Sequence, residues 1–133
     1  MIHTLTVDTG AREEMVDVTR DVARVVADSG YKDGLVFCFV PHTTAAITIN
    51  ENADPDVTRD ILHKLRKEIP QQEEYHHSEG NSDAHVKATL IGAAEQILFE
   101  GGRLVLGRWQ GIYFCEFDGP RQRRLLLRVV SFA

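Results

Sequence analysis

The spacing of apolar residues changes repeatedly along this chain of 133 residues, and that change is the strongest constraint on its fold. Residues 2–8 alternate apolar and polar side chains, as a strand with one buried face does. Over residues 13–29 the apolar positions recur at helical spacing instead, and Gly30 follows where a helix commonly ends. The chain is therefore predicted to combine strands and helices.

The next segments switch between the two patterns in an irregular order. Residues 34–40 are rich in β-forming residues and apolar on both faces, which predicts either a buried central strand or a strand covered by a partner subunit. Residues 45–50 predict a second strand. Asp54 and Pro55 then predict the start of a helix, because an aspartate caps helices and proline suits the first turn. Pro70 closes that helix.

A third helix is predicted to begin at Ser82 or Asp83 and to end at Gly101 and Gly102. Two or three strands follow, with a tight turn at residues 118–120. The order β-α-β-β-α-α-β-β-β lacks a repeated βα unit, and the chain is far shorter than the about 250 residues of a (β/α)₈ barrel. It predicts an α+β fold, a mixed β-sheet with helices packed on it. The apolar face of the third helix is expected to consist of Val86, Leu90, Ala93 and Ile97.

Length and composition predict a single domain over residues 1–133. The formal net charge of −5 argues against non-specific nucleic-acid binding, which requires a basic face. No stretch approaches the ~18–20 apolar residues that cross a membrane, and the first residues lack the apolar core of a signal peptide. Cys38 and Cys115 have no metal-binding spacing and suggest buried thiols in a reducing compartment. We expect a cytoplasmic protein.

Three of the six histidines occupy suggestive positions. His42 directly follows the strand at 34–40, His77 lies in the polar loop before the third helix, and His85 lies in the first turn of that helix. A loop ligand and a helix ligand can converge on one metal ion. The spacing is not specific, however, and histidines that cap a helix or face solvent are equally compatible with it.

The segment that contains Gly80 and Asn81 is a candidate anion site. Backbone N–H groups at a helix start are unpaired and partially positive, and a nearby glycine lets a ligand approach the backbone closely. Such a segment can bind a phosphate or carboxylate, or can simply be an ordinary capped helix. Glu79 and Asp83 would repel an anion unless a metal ion lay between them.

Four further polar residues are candidates for ligand contacts. Glu116 falls on the apolar face of a strand, so it requires solvent, an arginine, a metal or a ligand as partner. Arg121 follows a turn at a strand edge, where its guanidinium suits a phosphate, a carboxylate or a surface salt bridge. Asn50 and Glu51 offer a carbonyl and a carboxylate at the end of a strand.

Three segments together resemble the YjbQ-like family, and the resemblance spans nearly the whole chain. They are PHTTAAITINENADPDV, YHHSEGNSDAHVKATLIG and GRLVLGRWQGIYFCEFDGPR. Arg108 departs from the family, which usually has threonine there; the larger cation either alters the site or faces solvent. The resemblance implies a compact α+β fold with a mixed sheet, assembled as a homotrimer with sites near the subunit boundaries.

The resemblance also implies a function. It implies that His42, His77 and His85 cluster around a divalent metal ion, zinc or magnesium, and it suggests a weak thiamine-phosphate synthase activity. That reaction joins a pyrimidine diphosphate to a thiazole phosphate and releases pyrophosphate. We therefore expect an enzyme acting on a small phosphorylated metabolite. In this hypothesis Arg121 and the helix start bind phosphate, and Glu116 orients a metal-bound water or an amine.

Two alternatives use the same residues. In one, the protein is a metal-dependent hydrolase of a small phosphorylated or carboxylated metabolite, with the metal generating hydroxide. In the other, it is a ligand-binding or regulatory module without turnover. Three histidines together with a carboxylate favour an enzyme over simple binding.

Overall fold

The structure is a computed structural model that describes residues 1–132, and its elements in that range are eight strands and three helices. In chain order they are β1 (His3–Asp8), β2 (Glu14–Asp17), α1 (Thr19–Asp28), β3 (Gly34–Phe39), β4 (Ala45–Glu51), α2 (Pro55–Glu68), α3 (Ser82–Ile91), β5 (Ala94–Glu100), β6 (Arg103–Leu104), β7 (Gln110–Glu116) and β8 (Gln122–Ser131).

The strands form two sheets. One has the order β1-β8-β3-β5-β6 and the other the order β2-β7-β4. Every strand pair within residues 1–132 is antiparallel. The α+β class is confirmed, but the expectation of a mixed sheet is wrong. Paired strands such as β1 and β8 are far apart in sequence, and the alternation of apolar residues along one strand does not reveal the direction of its partner.

The main hydrophobic core lies on one face of β7, and a smaller cluster lies on the other. Helix α1 and strands β3, β7 and β8 contribute most of the main core. On the opposite face, Tyr113, Cys115 and Phe117 contact Ala84 and Ala88 of α3. Strand β7 is therefore buried on both faces, as a run of apolar residues without alternation requires. Central side chains of the main core are Val22, Val26, Val36, Ile112, Phe114, Leu125 and Leu127.

Strand β3 buries only one face within this chain. Val36 and Cys38 are buried, whereas Phe37 and Phe39 are 36% and 40% exposed. The register places Leu98 and Val130 beside Leu35 on the same outward side. We call this surface the outer apolar face; it consists of Ile2, Leu35, Phe37, Phe39, Leu98, Leu126 and Val130.

The helix expected over residues 13–29 begins later than predicted, because its first residues form a strand. Residues 14–17 form the edge strand β2, and α1 begins only at Thr19. Met15 and Val16 pair with Cys115 and Phe114 of β7, so contacts distant in sequence override the local helical spacing.

The third helix ends earlier than expected, at Ile91. Ile97, expected on the helix face, is instead a buried residue of β5, and Ala93 lies between the helix and that strand. Val86 and Leu90 are exposed, so the expected apolar face of this helix is wrong. The buried side carries Asp83 and Lys87 together with small alanines, which the apolar pattern does not reveal.

Helix α2 agrees with the sequence prediction. The Asp54 carboxylate accepts a hydrogen bond from the Asp56 N–H at 2.9 Å, and Pro55 occupies the first turn. Lys64 and Glu68 form a surface ion pair one turn apart. Across residues 1–132, we find no helix with the length and apolarity that crossing a membrane requires.

Residues 9–13, between β1 and β2, contact both the turn between β7 and β8 and helix α3. The Thr9 N–H donates to the Arg121 carbonyl at 3.0 Å, and the Gly119 N–H donates to the Arg12 carbonyl at 3.0 Å. The same short segment provides Glu13, which is bonded to Lys87 of α3. The turn between β7 and β8, expected at residues 118–120, is thus fixed against this segment.

Candidate functional site

A polar cavity of about 650 Å³ opens where three separate segments meet. These are the residues after β3, the loop and first turn of α3, and the turn between β7 and β8. Its polar lining includes His42, Glu79, Asn81, His85, Asp118 and Arg121. A second cavity of about 400 Å³ adjoins it, and His42 and His85 line both.

The structure therefore brings together part of the predicted site. His42, Asn81, His85 and Arg121 line one cavity. His77 does not line it but contacts His85, and Gly80 is an exposed residue of the same loop. Arg108, at the position that departs from the family, lies outside the cavity with its guanidinium 4.7 Å from the centre of the Trp109 ring.

Asn50 and Glu51 do not line this cavity; they lie at the far end of β4. Strand β4 begins at Ala45 beside Glu116 and ends at Glu51 beside Gln110. At about 3.4 Å per residue, its two ends are roughly 20 Å apart. The Glu51 carboxylate accepts a hydrogen bond from the Asp54 N–H at the start of α2. The assignment of these two residues to ligand binding does not fit the geometry of this cavity.

His42 is held by the backbone of β8. Its Nε2 accepts a hydrogen bond from the Arg124 N–H at 2.9 Å. Burial lowers the pKa of His42, and the neighbouring positive charges of Arg123 and Arg124 lower it further. The ring packs edge-on against Phe114, with the ring centres 6.5 Å apart. His42 is thus a neutral imidazole in a fixed orientation.

His77 and His85 form a pair of imidazoles at the start of α3. Their ring centres are 5.3 Å apart at an interplanar angle of 75°. His77 Nδ1 lies 3.0 Å from the Ser82 hydroxyl, and His77 Nε2 lies 3.8 Å from a Glu79 carboxylate oxygen.

A metal ion shared by all three histidines does not fit this arrangement. The lone pair on His42 Nε2 already accepts the Arg124 N–H. The neutral ring therefore carries its hydrogen on Nδ1, and neither nitrogen is free to bind a metal ion. Within the described part of the chain, no three His, Cys, Asp or Glu side chains are placed to hold a metal ion together. The donor set available to a metal is the pair His77 and His85, and metal binding there stays a prediction.

Asn81 lines the cavity and carries a buried acceptor oxygen without a partner among residues 1–132. Its amide nitrogen donates to the Asp118 carboxylate at 2.8 Å, which fixes the amide orientation. Its Oδ1 is buried and has no hydrogen-bond partner among residues 1–132. A buried acceptor without a partner is costly, so this oxygen favours a ligand or water that donates a proton to it.

Glu116 is fully buried and its carboxylate is already satisfied. It accepts hydrogen bonds from the Thr9 hydroxyl at 2.7 Å, the Asp118 N–H at 3.0 Å and the Arg123 guanidinium at 2.9 Å. Burial alone would raise the pKa of Glu116, but the bonds from Arg123, Thr9 and Asp118 outweigh it and lower the pKa. The partner required by this buried charge is thus an arginine. The suggested role of orienting a water or amine does not fit, because no lone pair faces the cavity unpaired.

Arg123 belongs to a basic cluster in the sequence, with Arg121, Arg124 and Arg128, but was not assigned an individual role in the predicted site. It is 4% exposed, lines the cavity, and also donates to the Thr44 hydroxyl at 2.8 Å. Its position two residues before Leu125, and four before Leu127, places it on the buried face of β8. Strict alternation along β8 would have identified it.

Arg121 is exposed at the cavity rim. Its Nε donates to the Asp118 carbonyl and one terminal nitrogen donates to the Asp118 carboxylate at 2.9 Å. Asp118 therefore orients both Arg121 and Asn81. The other terminal nitrogen, Nη1, has no partner within residues 1–132 and remains available for an anionic ligand.

A buried charge network supports the start of α3 from behind. Lys87 is fully buried and bonds the carboxylates of Asp83 at 2.8 Å and Glu13 at 3.0 Å. Arg12 bonds both Asp83 oxygens. Burial alone would raise the pKa of Asp83, but the bonds from Arg12 and Lys87 lower it. The Asp83 charge is therefore compensated and does not oppose an anion in the cavity.

The comparisons with known proteins agree with this fold and with the three motif segments. Residues 3–131 match the family described as UPF0047 protein YjbQ-like, and the chain belongs to that family. It is 47% identical to UPF0047 protein YugU of Bacillus subtilis, over 98% of this chain and 100% of that protein.

Solved structures show the same architecture. A crystal structure of a YjbQ/UPF0047 family protein from Clostridium acetobutylicum is 52% identical, with a TM-score of 0.95, over 96% of this chain and 99% of that one. A Sulfolobus solfataricus protein described as of unknown function is 34% identical, with a TM-score of 0.94, over 98% of this chain and 96% of that one.

Proposed function

We propose that the chain is an enzyme that binds a small phosphorylated metabolite in the cavity between His42, His85 and Arg121. The observation that carries the proposal is a pair of unused polar atoms on side chains that line this cavity, the exposed Arg121 Nη1 and the buried Asn81 Oδ1. Arg121 Nη1 can donate to phosphate oxygens, and the buried Oδ1 of Asn81 requires a donor such as an amine or hydroxyl. A ligand with both a phosphate and an amine or hydroxyl satisfies both.

The charges of the cavity bear on the need for a cation. Glu79 and Asp118 face Arg121 and Arg123, and Arg123 is already neutralised by Glu116. Three carboxylates therefore oppose two guanidinium groups. Because no positive charge is in excess, a phosphate ligand requires a further cation. A divalent ion held by His77 and His85 would supply that charge and neutralise the oxygens of a leaving group.

For the reaction we propose the thiamine-phosphate synthase type that the family resemblance suggests. A carbon–nitrogen bond forms to the thiazole, the carbon–oxygen bond of the pyrimidine diphosphate breaks, and pyrophosphate leaves with the electron pair. Arg121 binds phosphate oxygens, and Asn81 Oδ1 accepts a hydrogen bond from the amine of the pyrimidine. Asp118 holds both side chains in place. In this scheme Asn81 takes the orienting role that the sequence analysis gave to Glu116.

The test is formation of thiamine phosphate by purified protein with magnesium or zinc. We expect His85→Ala to lower kcat/KM at least roughly tenfold, through loss of one of the two side chains proposed to hold the divalent ion. His76→Ala is the matched control, because His76 is exposed in the same loop and does not line the cavity. Equal rates for the two variants would refute the proposed site. Phosphoester hydrolysis, or ligand retention without turnover, would instead favour one of the alternative functions.

We also propose that the outer apolar face mediates a homotrimer, the assembly that the family resemblance implies. Uncovered aromatic and aliphatic side chains on one sheet face are typical of a protein contact surface. Phe39 lines both the polar cavity and an apolar pocket of about 170 Å³ on this face. A subunit packed here would therefore lie next to the cavity.

Light scattering during size-exclusion chromatography tests the assembly. The wild type is expected at three times the chain mass of 15.0 kDa. Phe37→Glu should dissociate it, because the change removes a large apolar side chain and places a carboxylate in the contact, where Arg128 on the neighbouring strand is its one cationic neighbour in the register. Tyr31→Glu is the control, since Tyr31 is 47% exposed in the loop between α1 and β3. A monomeric wild type would contradict the proposal, and so would an intact Phe37→Glu trimer.

A further inference from the structure

The hydrogen bond between His42 and Arg124 has a consequence for the chemistry of the cavity. Strand β3 pairs with β8 as far as Phe39, which lies beside Leu126. Two residues before Leu126 in β8, the Arg124 N–H donates to the His42 ring. The imidazole thus takes the place that the next residue of a longer β3 would occupy as acceptor. Because this donor belongs to the backbone of a central strand, it cannot turn away from the ring.

This donor fixes the tautomer of His42. A backbone N–H can donate only to an unprotonated ring nitrogen, so Nε2 carries the lone pair and Nδ1 carries the hydrogen. A metal ion on Nδ1 would move the hydrogen to Nε2, where it would face the Arg124 N–H at 2.9 Å. Two donors at that distance repel each other. Coordination of a metal by His42 therefore requires the loss of this bond.

Within residues 1–132, no group forms a hydrogen bond with His42 Nδ1. His42 lines both cavities. The ring is half-buried and held edge-on against Phe114, so its orientation is set before a ligand arrives. An N–H in such a position recognises an acceptor oxygen.

We infer that His42 is a ligand-binding residue that donates its Nδ1 hydrogen to a phosphate oxygen in the cavity, and that it is not a metal ligand. The donor role rests on the proposed function, because it assumes a phosphorylated ligand. The exclusion of His42 from metal binding rests only on its bond to Arg124. The lowered pKa of His42, caused by burial and by Arg123 and Arg124, supports a neutral ring at pH 7.

The tautomer is measured by long-range ¹H–¹⁵N correlation spectra of the full chain labelled at histidine, with His42 assigned by its absence in His42→Asn. We expect the Nδ1–H form for His42. Added Zn²⁺ should shift the signals of His77 and His85 and leave those of His42 in place. An Nε2–H form, or a His42 signal that moves with Zn²⁺ together with the other two, would overturn the inference.

Pyrophosphate binding separates the donor role from the proposed function. His42→Asn keeps an N–H near the position of Nδ1, whereas His42→Ala removes it. We expect His42→Asn to bind pyrophosphate close to the wild-type affinity and His42→Ala to bind roughly tenfold more weakly. Equal weakening in both variants would overturn the donor role alone. A wild type that binds no pyrophosphate, with or without Mg²⁺, would refute the proposed function together with the donor role, while the Zn²⁺ titration still decides the metal question.

Discussion

Replacing Glu116 by glutamine tests the buried ion pair beside the cavity. The carboxylate accepts the Thr9 hydroxyl and Arg123 Nε on one oxygen, and the Asp118 N–H and a second Arg123 nitrogen on the other. Glutamine has nearly the same shape but places an NH₂ group where one oxygen stood. Two donors then lose their acceptor, and Arg123 stays charged at 4% exposure. Removing one partner of a buried pair costs about 3–5 kcal/mol.

Urea denaturation at a fixed protein concentration measures this change in the free energy of unfolding. For a chain of 133 residues, the same loss corresponds to a fall in Tm of roughly 10–20 °C. Glu68→Gln is the matched control, since Glu68 forms an exposed ion pair with Lys64 and its loss should leave Tm almost unchanged. A Glu116→Gln variant within about 1 kcal/mol of the wild type would refute this account of the pair.

The same variant gives a pH dependence with a defined sign. The pKa of Glu116 is lowered in the folded protein from its ordinary value of 4.5. A lowered pKa contributes stability that is fully present above the ordinary value and is lost as the pH falls through the folded-state pKa. The stability difference between wild type and Glu116→Gln should therefore be constant near pH 7 and shrink below about pH 4.5. A difference that grows on acidification would contradict the direction of the shift.

Two further predictions concern the core. Gly34→Ala should cost at least about 3 kcal/mol in urea denaturation, because its Cβ would overlap the Val130 carbonyl oxygen of the neighbouring strand. Gly10→Ala is the control, since the nearest atom to its Cβ would be 3.8 Å away. Burial raises the pKa of both Cys38 and Cys115 to about 12, so neither thiol should react with a disulfide reagent at pH 8 until the protein is unfolded. Rapid labelling of either thiol in the native protein would contradict their burial.

The elements predicted correctly carry local signals. Helix α2 has a capping aspartate, a proline in the first turn and a closing proline, all within the segment itself. Strand β3 is recognisable from its β-forming residues, although only one of its faces is buried within this chain. Signals of this kind do not depend on which part of the chain packs against the segment.

The elements predicted wrongly are those whose burial depends on distant residues. Helix α3 buries Lys87 because Asp83 and Glu13 neutralise it, and Glu13 lies 74 residues away in the sequence. Its true buried side therefore looks polar, while the exposed Val86 and Leu90 suggest an apolar face. The antiparallel direction of both sheets has the same origin, since it is set by pairings between remote strands.

For the candidate site, the sequence predicted which segments meet at the cavity. It did not predict the hydrogen bonds and charge partners of the individual residues. His42, Asn81, His85 and Arg121 do line one cavity, because each lies at the end of an element or in an adjoining loop. Glu116 and Arg123 could be recognised from strand alternation as buried charges, yet their pairing with each other depends on the register. The tautomer of His42 depends on a backbone N–H 82 residues away, and no local pattern predicts it.

Residues 9–13 touch the cavity only indirectly. Thr9 bonds Glu116, which in turn holds the lining residue Arg123, and Arg12 and Glu13 bond Asp83 and Lys87 in the first two turns of α3. A search for variants with altered cavity properties that sampled only the lining positions would overlook this short connection. Directed evolution of the protein should therefore include it, since its hydrogen bonds reach both the end of β7 and the start of α3.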